Sequence, residues 1–201
     1  MTQTGMTLVH VIDDDDAVRD ALGFLLQSHG FAVRLHASAE AFLAVHPHDS
    51  QGVIILDIRM PGMSGIELFA ELKSRPPLPP VIFLTGHGDV PLAVEAIKAG
   101  AFDFREKPFD DAAFIAAVTR AVSAHQSASE ARSAGDDLAR QVASLSARER
   151  QVMDLMLLDR PNKVIAHELG ITMRTVEVHR ARVLAKMKVR SLVALASRLK
   201  G

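Results

Sequence analysis

Val53-Ile54-Ile55-Leu56-Asp57-Ile58-Arg59-Met60-Pro61-Gly62 is the most telling stretch of this chain. Four apolar residues run into a single carboxylate, and a Pro-Gly turn follows. An apolar run of that length between turn signals predicts a strand covered on both faces, with Asp57 at its C-terminal end. In an open parallel sheet that end is the ligand-binding edge. A lone Asp there also suits the cap of the next element, so the reading rests on three companions. These are the acidic cluster from Asp13 to Asp16, Thr85 and Lys107, each of which follows another strand-like apolar run.

On either side of this stretch, apolar runs at 8–12, 31–35, 81–84 and 101–104 predict four more strands. Helical spacing fills 17–29, 39–45, 64–73, 89–99 and about 110–123. Ser38, Ser64 and Asp110 stand where helix caps belong, Pro91 falls in a first turn, and Gly30 and Gly100 act as stops. Strict strand–helix alternation predicts an α/β fold: a doubly wound, five-stranded parallel sheet with helices on both faces. From residue 145 the pattern is wholly helical. Ser146 and Glu149 form a capping-box pair, Pro161 precedes a helix over 162–169 that Gly170 stops, Thr172 caps a helix to about Met187, and Ser191 begins a last one. The expected organisation is a first domain over 1–122, a linker over 123–144 rich in Ala, Ser and charge and open to partial helix because Ala, Glu, Arg and Gln favour it, and an all-α domain over 145–201.

Charge follows the same division. Residues 1–122 hold 16 acidic and 9 basic side chains, whereas residues 145–201 hold 5 and 12. The two halves therefore suit different partners, and the basic one suits nucleic acid. The 201 residues include no cysteine, which excludes disulfides and thiol catalysis. No apolar run reaches the roughly 18 residues of a membrane span, residues 1–5 do not resemble a signal peptide, and a cytoplasmic location is expected.

Folded as read, the sheet brings Asp13, Asp14, Asp57, Thr85 and Lys107 to one edge. Clustered carboxylates repel unless a cation lies among them. Oxygen ligands alone favour a hard octahedral ion, Mg²⁺ or Mn²⁺. A carboxylate beside such an ion can attack phosphorus, with the Lys ammonium and Thr hydroxyl meeting the phosphoryl oxygens. Asp15 and Asp16 suit either this cluster or a solvated helix start.

Residues 7–122 resemble the receiver domain of two-component response regulators. The resemblance is carried by the Asp13-Asp14 pair, Leu56-Asp57-Ile58-Arg59-Met60-Pro61-Gly62, Thr85-Gly86-His87-Gly88-Asp89 and Glu106-Lys107-Pro108-Phe109. It implies that Asp57 is the phosphoacceptor. Asp13, Asp14, Asp57 and the backbone carbonyl of Arg59 would serve the metal, Thr85 and Phe104 would be switch residues, and Lys107 would bind phosphate and precede a cis peptide bond. Where many members have Tyr, this chain has Phe104. An Asp-nucleophile phosphatase is a rival reading, but such enzymes commonly carry a second Asp where this chain has Arg59.

Within 172–187, Val176, Val183, Leu184 and Met187 share one helix face, and Glu177, Val178, Ala181 and Arg182 share another. Lys163, Arg174, Arg180, Arg182, Lys186 and Lys188 surround them with positive charge. Residues 145–199 resemble the LuxR-type DNA-binding domain, a four-helix helix-turn-helix unit. The carrying residues are Leu145-Ser146-Ala147-Arg148-Glu149-Arg150, Asn162-Lys163, Ile165-Ala166 and Thr175-Val176-Glu177-Val178-His179-Arg180. The resemblance implies that 175–182 enters a major groove of double-stranded promoter DNA. Glu177, Val178 and Ala181 would face bases. Lys163, Arg174, Arg180 and Arg182 would grip phosphates, and the last helix would serve dimerisation. Asp159 stands where the family usually has Gly, so a positive φ there would fall to a residue that tolerates it. Val164 replaces a usually polar residue at a position expected to be partly exposed.

Together the two resemblances imply a transcription regulator rather than an enzyme. A sensor histidine kinase would phosphorylate it, and it would dimerise, bind DNA and engage RNA polymerase, by activation. Regulators of nitrogen-fixation or low-oxygen genes are of this type.

Overall fold

The computed structural model describes residues 7–45, 52–86 and 90–200. His87, Gly88 and Asp89 of the motif read above, the expected helix start at Asp89 and residues 1–5 lie outside the described residues. The chain divides into two compact units, Met1–Ser129 and Glu130–Gly201.

In the first unit β1 (Leu8–Ile12), β2 (Ala32–His36), β3 (Val53–Asp57), β4 (Val81–Thr85) and β5 (Asp103–Glu106) alternate with five helices. These are α1 (Asp16–Ser28), α2 (Ala39–Val45), α3 (Gly65–Lys73), α4 (Val90–Lys98) and α5 (Asp111–Ala143). All pairings are parallel, in the order β2-β1-β3-β4-β5. β3 and β4 are buried along their whole length because both sheet faces are covered. The two-residue period sends Val9, Val11, Val53, Ile55, Ile82 and Leu84 into one core with α1 and α5. It sends Ile12, Ile54, Leu56, Val81 and Phe83 into the other with α2, α3 and α4. A buried polar pair interrupts this second side: His10 Nδ1 lies 3.1 Å from His36 Nε2, and the Phe42 ring meets both imidazoles edge-on.

Two elements, β5 and α5, depart from the sequence expectation by more than one residue. β5 begins two residues late, because Ala101 belongs to the turn that closes α4, its N–H donating to Ala96 O. The ladder with β4 starts at Asp103 opposite Ile82 and extends to Glu106 opposite Thr85. α5 does not end near residue 123. It continues to Ala143 through the stretch expected as a linker, whose Ala, Glu, Arg and Gln favour helix. The end of α5 is packed: Leu138 and Val142 lie against the core of the second unit, and Gln141 is buried.

That second core is built by α6 (Ala147–Leu157), α7 (Asn162–Leu169), α8 (Met173–Lys186) and α9 (Leu192–Lys200). Ser146 and Glu149 make the reciprocal capping box, and Thr172 caps α8 through Thr175 N. Gly170, at φ 64°, ends α7 in the left-handed conformation and permits the tight turn into α8. Asp159 adopts φ 54°, as expected for a position that favours glycine. Among the described residues no helix is long and apolar enough to cross a membrane.

Candidate functional site

β1 and β3 are neighbours, and their crossovers leave on opposite faces, so a crevice opens beyond their C-terminal ends. Asp13 is the first residue past β1 and Asp57 the last of β3. Asp13, Asp14 and Asp57 offer carboxylate oxygens that all lie within 4.8 Å of one another. Lys107 enters from the β5 side, where its N–H donates 2.8 Å to Thr85 O. Its Nζ donates to Asp13 Oδ2 at 2.7 Å and to Asp57 Oδ1 at 3.0 Å. The Lys107–Pro108 bond is cis, as the resemblance implied.

Asp13 is 1% exposed at its side chain, Asp57 12% and Lys107 27%. One ammonium therefore faces three carboxylates in a partly dry site. Burial pushes the Asp57 carboxyl above its usual range; the Lys107 hydrogen bond and charge work against this, and Asp13 and Asp14 add to it. Burial works to lower Lys107, but its bonds to Asp13 and Asp57 outweigh that and hold it above the ordinary lysine value. A second cation among the oxygens would answer the charge excess. With an oxygen-only donor set and exposed Asp14 on the solvent side, the residues fit a hard divalent ion.

Each expected companion has a definite place. Thr85 is fully buried at the end of β4, and its hydroxyl donates to Gly86 O at 3.1 Å. Phe104 is half-buried on β5, opposite Phe83 and against the core beside α4. Arg59 is exposed two residues past Asp57. Asp15 is the N-cap of α1, accepting from Ala17 N and Val18 N, and Asp16 pairs with Arg19 in the first turn. Both therefore serve the helix start.

Two supporting residues were not read from the sequence. Arg19 Nη1 donates 2.6 Å to Asp13 O and steadies the acidic turn from within α1. Gly65, first in α3, donates to Ile58 O, and a Cβ built on it would stand 2.1 Å from Asp57 O. Neither has a local sequence signal, because each contact crosses a loop. Beside Lys107, a groove lined by Val18, Leu22, Phe24, Leu25, Pro108 and Phe109 opens to solvent, with Phe24 77% exposed.

In the second unit α8 divides as its period dictates. Val176, Val183 and Met187 are fully buried, and Leu184 packs beside them. Glu177, Val178, Ala181 and Arg182 are exposed, and so is Arg174 at the N-terminal end. Arg180 is half-buried, and Lys163 is exposed on α7. Val164 is half-exposed, as expected. Thr175 is partly committed to the cap, its Oγ1 lying 2.8 Å from Thr172 Oγ1. The outer face thus presents an acceptor, an apolar side chain and cations together, a set that can meet base edges and phosphates.

Known proteins carry the same two units. The response regulator receiver domain matches residues 9–119, and the luxR family of bacterial regulatory proteins matches residues 143–199. The transcriptional regulatory protein FixJ of Azorhizobium caulinodans is 54% identical over 93% of this chain and 89% of its own. The C4-dicarboxylate transport transcriptional regulatory protein DctR of Rhodobacter capsulatus is 53% identical over 94% of this chain and 96% of its own. The solved structure of the response regulator StyR has a TM-score of 0.91 at 41% identity, covering 98% of this chain and 99% of that one.

Proposed function

The chain belongs to the response regulators that join a receiver domain to a LuxR-type DNA-binding domain, and we propose that Asp57 accepts a phosphoryl group from a sensor histidine kinase. The observation that carries this is the convergence of Asp13, Asp14, Asp57 and Lys107 at one sheet edge, with Asp57 still partly open to solvent. Asp13, Asp14, Asp57 and the Arg59 carbonyl would hold Mg²⁺ or Mn²⁺. When bound, the ion offsets the carboxylate charge and draws electron density from the phosphoryl oxygens.

An Asp57 oxygen attacks phosphorus as the bond to the donor imidazole nitrogen breaks, and the phosphoryl group remains as an acyl phosphate. The Lys107 ammonium, already bonded to Asp57, pairs with a phosphoryl oxygen. The Thr85 hydroxyl turns from Gly86 O to another, and Phe104 follows inward into the space vacated, its rotamer set by packing because it has no hydroxyl. The groove around Phe24 gives a kinase an apolar place to rest beside the site.

The α4–β5 face then dimerises. Leu92, Val94, Ile97 and Phe102 are exposed there, an apolar set of the kind that self-association covers. Pairing two DNA-binding units raises their effective concentration on adjacent half-sites. α8 would enter the major groove with Thr175, Glu177, Val178 and Ala181 toward bases, while Lys163, Arg174, Arg180 and Arg182 grip phosphates. α9 would complete the dimer on DNA, and bound dimers would recruit RNA polymerase. The working division is a receiver over 1–122 and a DNA-binding domain over 145–201.

Similarity to FixJ supports nitrogen-fixation genes as targets. The near-equal identity to DctR supports a second reading, genes for C4-dicarboxylate transport, and sequencing of bound promoter fragments separates the two. The function as a whole is tested by sedimentation and DNA binding with acetyl phosphate and Mg²⁺, comparing the parent with Asp57→Asn. The parent is expected to self-associate and bind DNA more tightly on treatment, and the variant to do neither.

A further inference from the structure

The basic side chains of α8 are of two kinds. Arg174 stands in solvent at one end of the helix. Lys186, in the last turn, is engaged elsewhere: its Nζ donates to Glu149 Oε2 at 2.6 Å and to Ser144 O at 2.9 Å. The Glu149 side chain is 5% exposed, and the same Oε2 accepts from Ser146 N at 2.8 Å. Next to this tie lies the buried Gln141 amide; with its oxygen and nitrogen assigned to satisfy both ends, it donates to Met187 O and accepts from Arg198 Nη2, each at 3.2 Å. The end of α5, the start of α6 and the end of α8 therefore meet in one hydrogen-bonded knot.

The Lys186 side chain is 39% exposed, but its charge is matched by the buried Glu149 carboxylate. To meet a DNA phosphate it would have to abandon a buried carboxylate, and an uncompensated buried charge is costly. We infer that Lys186 is a positioning residue which, through Glu149 and Ser144 O, sets the seat of α8, and that it is not a phosphate contact. Its place in the ring of cations around the helix is one of sequence position only. The inference rests on the proposal that α8 binds DNA.

A positioning residue and a phosphate contact differ in two readouts. Losing a phosphate contact lowers the slope of log affinity against log salt by about 0.9 and weakens all sequences alike. Losing a positioning residue leaves the slope in place and weakens the specific duplex selectively. The probes are a duplex enriched by the phosphorylated wild-type chain from a random-sequence pool and an unrelated duplex of equal length. Lys186→Met is expected to bind the enriched duplex about tenfold more weakly with unchanged slope and nearly unchanged affinity for the unrelated one. Lys186→Arg should restore binding. Arg174→Ala should lose the slope increment on both duplexes. Glu149→Met keeps the lysine charge but removes its acceptor, and it should also lose selectivity. Circular dichroism at the assay temperature checks that each variant is folded. A lowered slope in Lys186→Met, or intact selectivity in Lys186→Met or Glu149→Met, overturns the inference. A wild-type chain that enriches no duplex overturns the DNA-binding proposal beneath it, and the inference with it.

Discussion

Lys107 Nζ stands 3.0 Å from Asp57 Oδ1 and thereby links the chain just past β5 to the end of β3, two strands that do not touch in the sheet. The same ammonium holds Asp13, so it is the cation that lets the acidic edge close. Lys107→Gln is expected to lower stability at neutral pH by about 1–3 kcal/mol, because the carboxylates it leaves behind are largely buried. Mg²⁺ should offset much of that loss, adding about 2.7 kcal/mol at one hundred times its Kd. Urea midpoints with and without Mg²⁺ measure both effects, and Asp13→Asn should abolish the Mg²⁺ response.

Gly65 marks the closest approach to the Asp57 backbone. Its replacement by Ala puts a methyl into the Asp57 carbonyl, and the strand end must shift. Gly65→Ala is expected to lose about 1–3 kcal/mol, as overpacking generally does. It should also slow phosphorylation by acetyl phosphate while leaving the Asp57 side chain chemically intact. A time course by phosphate-affinity electrophoresis, beside a thermal melt, reads both.

Asp159 follows the C-cap of α6 at φ 54°. A side chain there carries a backbone cost that glycine avoids. Asp159→Gly should therefore gain about 1 kcal/mol, and Asp159→Val should lose at least as much, because a β-branched side chain is stiffer still. Hydrogen-exchange protection of the α6 and α7 amides reports each change locally.

Glu149 gives the second unit an acid-sensitive contact. Its hydrogen bond to Lys186, and then that to the Ser146 N–H, lower its pKa from 4.5 to about 2. A carboxylate depressed on folding contributes its full stability above the unfolded value, and the contribution fades as pH falls toward the folded one. Protection of the α6 and α8 amides, corrected for intrinsic exchange, should decline between about pH 4.5 and pH 2. In Glu149→Gln that decline should be smaller.

Much of this was legible in the sequence, for identifiable reasons. The apolar runs before Asp13, Asp57 and Thr85 announced buried strands, and strict alternation with helices left only a parallel sheet. One sheet edge then had to gather the carboxylates and Lys107. α8 was equally readable, since a 3.6-residue period sorts Val176, Val183 and Met187 from Glu177, Val178 and Ala181. What escaped was non-local. Arg19 reaching Asp13 O and Gly65 beneath Asp57 depend on loop paths that no spacing encodes. Residues 123–144 lack an apolar stripe until Leu138 and Val142 and so read as a linker open to partial helix; the unbroken run of α5 through them and the packing of Leu138 and Val142 on a core come from the structure. Lys186 looked like one more cation on a basic helix, because its partner Glu149 lies 37 residues away in the chain.

Intact-mass spectrometry of the purified chain with acetyl phosphate and Mg²⁺ tests the central claim most directly. The expected result is the gain of one phosphoryl group, mapped by tandem spectra to Asp57, lost on chelation of Mg²⁺ and absent from Asp57→Asn. No gain in mass, or an undiminished gain in Asp57→Asn, would contradict the account.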